Sequence, residues 1–265
     1  VKRVKIDSTI GILNEFKAII IAKPDSAIPN KDKFIIDQFI MKGGKVIWLI
    51  DPMQVTMDSL AKTGNTMALA RDLNIDDMLF RYGVRVNYDL AQDMMCSMIP
   101  VVTGFLGNQP KQELKPWYFF PVMTPVSTHP IVNNLNAIKG EFTSSIDLVD
   151  APGTKQTVLL STSQYSKLSS APVRVSLGIM EFKPDPKMFP VSNIPVAVLL
   201  EGSFTSAFKN RILSQEMLNI KELGYRDSSV NNQMIVISDG DIIRNDVSKG
   251  NPLPLGYDKF TRTTF

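Results

Sequence analysis

Short, uninterrupted runs of apolar residues recur along the chain and predict strands that are buried on both faces. The first run covers residues 16–22 and the second covers residues 45–50. Between them, residues 31–42 repeat apolar side chains at helical spacing, and Gly43-Gly44 supplies a stop. A strand, a helix and a strand within about thirty residues form one βαβ unit.

Further segments follow the same patterns. Residues 97–127 contain aromatic and β-branched runs broken by proline, which predict antiparallel or edge strands. The serine-rich stretch 161–170 predicts a mobile loop. Other predicted elements are a helix at 72–83 closed by Gly83, buried strands at 157–161, 195–200 and 234–238, and a helix near Phe208 to Leu213.

These elements together predict an α/β fold, with a mainly parallel sheet flanked by helices and a β-rich middle portion. We expect an α/β sheet region at 1–100, a β-rich insertion or subdomain at 101–150, and a region at 151–265 that continues the sheet. All three regions together are compatible with one composite domain.

Composition narrows the classes of protein that the chain can belong to. Hydrophobic residues make up 44% and charged residues 21% of the sequence, as in a globular protein. The net charge is +3 and the basic residues are scattered, which argues against a nucleic-acid partner. The apolar runs are far shorter than the roughly 20 residues of a membrane-spanning helix. Because the chain opens on Val1, we expect it to be a piece of a longer protein.

The single cysteine and the single histidine limit nucleophilic and metal chemistry. Cys96 lacks the flanking glycines of a strained nucleophile elbow, since Met95 and Ser97 adjoin it, and we expect a buried structural thiol. His129 precedes Pro130 and has no partner nucleophile at a recognisable spacing, so a capping or packing role is favoured. We therefore predict no catalytic residues, no cofactor and no Cys/His metal site.

Carboxylates follow three of the predicted buried strands. Asp51 follows the strand at 45–50, Glu201 follows 195–200, and Asp239 and Asp241 follow 234–238. Parallel sheets gather ligands at the carboxyl ends of their strands, and paired carboxylates can hold Mg²⁺ or Ca²⁺. The favoured interpretation is nevertheless a strand-ending turn whose aspartates accept local amide hydrogen bonds. If the three strands are adjacent, Asp51, Glu201 and Asp239 converge.

Several blocks of the sequence resemble the GldG family of auxiliary proteins of gliding-motility ABC transporters. The most specific block is Ile36 to Asp51, which is similar to the pattern IDQFIM-GGK-IWLID of that family. Further similar blocks occur in the same order at 79–87, 129–135, 197–204 with Asn210-Arg211, and 235–242.

The resemblance implies a membrane-anchored protein whose soluble region lies on the periplasmic side of the inner membrane of a gliding bacterium. Its partners would be an ABC permease subunit and a cytoplasmic ATPase subunit, and its spanning helices would lie outside this sequence. The family carries no established catalytic residues. Its wider relatives share a flavodoxin-like, glutamine-amidotransferase-like fold, which is the fold expected here.

Two classes of function follow, with a third kept open. The first is a non-catalytic auxiliary or interaction domain of a transporter complex. The second is a metal-dependent hydrolase that uses Asp239 and Asp241 with Asp51 or Glu201. The third is a domain that captures a small molecule or glycan on the aromatic run Trp117-Tyr118-Phe119, although packing of that run in the core is favoured.

Overall fold

A computed structural model describes residues 1–211 and 224–265 of the chain. The protein is mostly β, with 40% of residues in strands and 13% in helices. The helices are α1 (Asn30–Met41), α2 (Met57–Thr63), α3 (Asp76–Tyr82) and two short 3-10 helices, Leu177–Glu181 and Pro186–Met188. The strands, in chain order, are β1 (Ala18–Ala22), β2 (Lys45–Leu49), β3 (Met53–Gln54), β4 (Asn65–Ala70), β5 (Val84–Val86), β6 (Asp89–Asp93), β7 (Cys96–Leu106), β8 (Gln109–Pro125), β9 (Ile138–Lys139), β10 (Ile146–Leu148), β11 (Thr154–Ser161), β12 (Ser166–Ser170), β13 (Val173–Ser176), β14 (Pro195–Gly202), β15 (Asn232–Ile237), β16 (Val247–Ser248), β17 (Asn251–Pro252), β18 (Tyr257–Asp258) and β19 (Thr263–Thr264).

One eight-stranded sheet organises the molecule. Its strands lie in the order β1-β2-β15-β14-β11-β8-β7, and β9 pairs with β8 beside this path. The pairs β1–β2 and β2–β15 are parallel, and every other pair in this sheet is antiparallel. The sheet curls into a half-barrel. The parallel character is therefore confined to one end.

The predicted βαβ unit is present at that end. Strands β1 and β2 are parallel, in a register that pairs Ile20 with Ile47, and α1 connects them. The helix ends at Met41, and Gly43 follows with a φ of 97°. A Cβ on Gly44 would lie 2.3 Å from the Phe39 ring, so the turn into β2 requires glycine there.

The prediction of a mainly parallel, flavodoxin-like or glutamine-amidotransferase-like α/β fold is wrong. The predicted buried strands exist, as β11, β14 and β15, but β14 runs antiparallel to both of its neighbours. A parallel neighbour needs a crossover, which is usually a helix, and the segment between β11 and β14 contains strands and 3-10 helices instead. An apolar run indicates that a strand is buried, but it does not indicate whether the strand runs parallel or antiparallel to its neighbours.

Three groups of buried side chains form the core. The largest lies where α1 and α3 cover the sheet and includes Phe34, Trp48 and Tyr82. A second group surrounds Trp117 and Phe119 of β8, and a third packs near Leu199 of β14 on the other side of the sheet.

The remaining predicted elements have mixed outcomes. The helix closed by Gly83 is α3, and the proline-broken region at 97–127 is the antiparallel hairpin β7–β8. The helix predicted near Phe208 to Leu213 extends outside the described residues, and its described beginning is a turn. Within residues 1–211 and 224–265, no helix has the length and apolar character needed to cross a membrane.

Candidate functional site

Charged residues follow all three parallel strands at one edge of the sheet. Lys23 comes directly after β1, while Asp51 and Asp239 each come two residues after the end of β2 and β15. Because the strands are parallel and adjacent, their carboxyl ends meet at the same edge. The structure therefore brings Asp51, Asp239 and Asp241 together, whereas the sequence left open whether the strands that precede Asp51 and Asp239 are neighbours.

A lysine lies between two of these carboxylates. The Lys23 Nζ atom is 2.9 Å from Asp51 Oδ2 and also forms an ion pair with Asp241 Oδ2. Burial alone would lower the pKa of Lys23, but the hydrogen bonds and charges of Asp241 and Asp51 raise it. The ammonium group thus occupies the position that a cation would take between the two aspartates.

Every oxygen of the three carboxylates faces a donor from the protein. Asp51 accepts a hydrogen bond from the Gly240 amide on Oδ1, and Asp241 Oδ1 lies 2.8 Å from Arg244 Nη1. Asp239 Oδ1 accepts from the Asp241 amide at 2.8 Å, and its Oδ2 accepts from the Glu141 amide at 2.7 Å. The bond from the Asp241 amide to Asp239 is the local turn favoured from the sequence, whereas the amides of Glu141 and Gly240 reach their acceptors from segments far apart in the chain.

Asp239 is the most deeply buried of these acids. Its side chain is fully buried, and burial together with the negative charge of Asp51 raises its pKa to about 7. The hydroxyl of Thr143 also donates to Oδ2, at 3.1 Å. A Cβ at position 140 would lie 2.9 Å from this oxygen, so Gly140 allows the 140–143 segment to approach the carboxylate.

The network of charges continues away from the sheet. Arg244 Nη2 is 2.6 Å from Glu141 Oε2, and Glu141 Oε1 is 3.3 Å from Lys139 Nζ. Lys139 Nζ also lies 3.1 Å from the buried carboxylate of Asp258. Ion pairs therefore connect β9, the segment after β15 and the hairpin β18–β19.

A cleft of about 530 Å³ opens beside this network. Lys23, Asp241 and Arg244 form part of its wall, together with the aromatic residues Phe120, Phe142 and Phe260. The volume falls within the range typical of small-molecule sites. However, the charged side chains in the wall of the cleft largely form ion pairs with one another.

Glu201 lies elsewhere. It is paired with Gln233, near the start of β15, because β14 runs antiparallel to β15. Glu201 Oε1 accepts a hydrogen bond from Gln233 Nε2 at 2.9 Å. The length of β15 separates Glu201 from Asp239 by roughly 15–20 Å. The convergence of Asp51, Glu201 and Asp239 considered from the sequence is therefore not formed.

Cys96 and His129 occupy structural surroundings. Cys96 begins β7 and is partly buried; burial, reinforced by the charge of Asp93, raises the pKa of its thiol to about 12. His129 begins a turn, where its Nδ1 accepts a hydrogen bond from the Ile131 amide at 3.3 Å and its carbonyl oxygen accepts from Val132. Neither residue is arranged as an activated nucleophile or base.

The aromatic run in β8 belongs to the core. Trp117, Tyr118 and Phe119 are all buried, and the Trp117 and Phe119 rings lie 5.2 Å apart. They offer no exposed face on which a ligand could stack, which agrees with the packing role favoured from the sequence.

Sequence reasoning did not identify the partners of the acidic residues. Lys23 follows a parallel strand as Asp51 does, so the same rule about strand ends would have found it. Lys139 is the last residue of the two-residue strand β9, which has no recognisable pattern, and Glu141 lies two residues beyond it. Across the part of the chain that the structure describes, no three His, Cys, Asp or Glu side chains are grouped closely enough to hold a metal ion.

Comparisons with known proteins identify a family. No curated protein matches the sequence. Among solved structures, the mmIFT52 N-terminal domain matches with 13% identity and a TM-score of 0.46, over 90% of this chain and 72% of that chain, and nothing about function follows from so distant a likeness. A family model described as "ABC-type uncharacterized transport system" matches residues 1–265. The chain therefore belongs to the ABC_transp_aux family, whose members are auxiliary components of ABC transport systems.

Proposed function

We propose that this chain is the periplasmic region of a GldG-type auxiliary subunit that serves gliding motility without catalysing a reaction. Helices outside this sequence anchor it in the inner membrane, where it assembles with an ABC permease and a cytoplasmic ATPase. The observation that carries the proposal is the family match over residues 1–265, since an auxiliary component of a transport system acts through its membrane partners. The blocks that resemble the GldG family supply the link to gliding.

The geometry at the parallel strand ends supports a non-catalytic role. Lys23 and Arg244 together balance the charges of Asp51 and Asp241, and backbone amides and Thr143 bind the buried Asp239 carboxylate. Divalent cations need several free oxygen ligands, and these oxygens already have protein donors. The metal-dependent hydrolase is accordingly the less favoured hypothesis.

Purification of the complex tests the proposal directly. Full-length, tagged protein is isolated from detergent-solubilised membranes of its native host, and the recovered proteins are quantified by mass spectrometry. We expect permease and ATPase subunits in amounts comparable with the tagged protein. Absence of both, after mild in-cell cross-linking as well, would contradict the auxiliary-subunit assignment.

Motility measurements test the non-catalytic part. Deletion of the gene should stop gliding, whereas the variants Cys96→Ala and His129→Ala should glide at the wild-type speed because neither side chain performs chemistry. Protein abundance and thermal unfolding are measured alongside as controls. Loss of gliding in a normally abundant, stably folded Cys96→Ala variant would argue for a catalytic thiol.

A further inference from the structure

Strand β1 is the outermost strand of the eight-stranded sheet. Two backbone hydrogen bonds to β2 show which N–H and C=O groups of β1 face β2 and which face outward. The Lys45 amide donates to the Lys17 carbonyl at 3.1 Å, and the Lys23 amide donates to the Leu49 carbonyl at 2.8 Å. In a parallel pair, alternate residues bond to the neighbouring strand. The register therefore directs the N–H and C=O groups of Ala18, Ile20 and Ala22 away from β2.

These outward groups form an open edge, defined here as the outer side of Ala18, Ile20 and Ala22. Within the described ranges 1–211 and 224–265, no backbone hydrogen bond reaches them. Their side chains are exposed, and that of Ile20 keeps 54% of its surface accessible. The neighbouring Ile47 of β2 is only half-buried, so the apolar surface extends onto the sheet face.

The open edge lacks the features by which proteins usually protect an outer strand. Natural edge strands carry charged residues, prolines or bulges that prevent pairing with another chain. β1 contains only alanine and isoleucine, and its pairing with β2 has no irregularity. An uncharged edge of this kind is suited to the addition of an extended segment.

Charge indicates what kind of segment fits. Lys17 and Lys45 are exposed beside the beginning of the open edge, and neither has an ion-pair partner in the part of the chain that is described. Antiparallel pairing of two copies through all three outward residues would place Lys17 opposite Lys23 of the second copy. Like charges oppose this arrangement.

We propose that the open edge of β1 accepts an extended periplasmic segment of the permease subunit, with apolar side chains over Ile20 and Ile47 and a carboxylate near Lys17 and Lys45. The segment adds a ninth strand to the sheet by bonding to the outward backbone groups. The transporter as the source of the segment rests on the proposed function, whereas strand addition rests on the geometry of β1.

In-cell photo-cross-linking of the full-length protein tests this inference. The benzophenone amino acid p-benzoylphenylalanine replaces Ile20, and the cross-linked peptide is mapped by mass spectrometry. As a control, the same group replaces Phe182, whose side chain is 74% exposed outside this sheet. We expect an adduct from position 20 with an acidic, extended periplasmic segment of the permease, and no adduct of that segment from position 182.

Two substitutions of Ala22, each combined with the cross-linker at position 20, test whether the adduct depends on a backbone hydrogen bond from β1. Ala22→Pro removes an outward N–H that has no partner inside the described protein, and proline is tolerated on that side of an edge strand. Ala22→Val keeps the N–H. We expect the adduct yield to fall at least about tenfold with Ala22→Pro and less than about twofold with Ala22→Val. Thermal unfolding of each variant verifies that the sheet is intact.

The other outcomes separate the two proposals. An adduct that maps to β1 of a second copy, or one that Ala22→Pro leaves unchanged, would overturn strand addition by a partner. No adduct from position 20, while the purified complex contains permease and ATPase, would overturn this inference and leave the proposed function standing. A proline-sensitive adduct with a protein outside the transporter would overturn the transporter as occupant and count against the proposed function.

Discussion

At the scale of single residues, one buried carboxylate, that of Asp93, binds the backbone and hydroxyl groups of a distant serine-rich stretch. Asp93 is fully buried and accepts hydrogen bonds from the Ser163 amide, the hydroxyls of Ser163 and Ser166 and the Met95 amide, at 2.6 to 2.9 Å. The serine-rich stretch that predicted a mobile loop is therefore largely ordered by one carboxylate, and it contains strand β12. Composition alone does not show that an acid seventy residues earlier binds these serines.

Cys96 offers a test at this scale. Because burial raises the pKa of its thiol to about 12, the reactive thiolate is scarce at neutral pH. We expect the folded protein to react with iodoacetamide at pH 8 at least about a hundredfold more slowly than free cysteine. The same protein unfolded in guanidinium chloride serves as the control and should react at the rate of free cysteine. Comparable rates in both states would show that burial does not suppress the thiolate in the folded protein.

At the scale of elements, a buried carboxylate connects two helices and a loop. Asp37 of α1 accepts hydrogen bonds from the Tyr82 hydroxyl of α3 and the Ser206 hydroxyl, each at 2.7 Å, and from the Ala207 amide at 2.8 Å. Burial raises the pKa of Asp37, although these donors oppose the shift. Sequence periodicity predicted α1 to within one residue and α3 with a start four residues too early, but it contained no sign of this contact.

Substitutions of Asp37 and of Tyr82 should lower the free energy of unfolding by different amounts. Asp37→Ala leaves three buried donors without an acceptor, so we expect the free energy of unfolding to fall by about 3–4 kcal/mol. Tyr82→Phe removes one donor and keeps the ring, which should cost about 1 kcal/mol. Urea denaturation followed by circular dichroism measures both. Equal losses for the two variants would mean that Asp37 does not join these elements.

At the scale of the whole molecule, the acidic residues at the carboxyl ends of the parallel strands make the free energy of unfolding depend on pH. Asp239 has a pKa of about 7 in the folded protein, above the 3.8 of an unperturbed aspartate. The folded state therefore retains a proton that the unfolded state has released between about pH 4 and pH 7. This contribution to stability is present at low pH and is lost as the pH rises through 7.

Asp239→Asn should remove that pH dependence. We expect the free energy of unfolding of the wild-type protein to fall by about 2–3 kcal/mol between pH 5 and pH 8, and that of the variant to change less. His129→Asn is the matched control, because His129 is the only histidine. Denaturant titrations at each pH give the values. If Asp239→Asn keeps the full slope, another group is responsible for it.

The sequence by itself determined where the main strands and helices lie, because the local order of apolar residues indicates which segments are buried strands and which are helices. It also indicated that Asp51 and Asp239 each follow a buried strand, but it left open whether those two strands are neighbours. Only the tertiary structure decided the direction of β14, and with it the separation of Glu201 from the other acids. Strand direction and ion-pair partners such as Glu141 and Arg244 depend on contacts between distant segments, and no local pattern encodes those contacts.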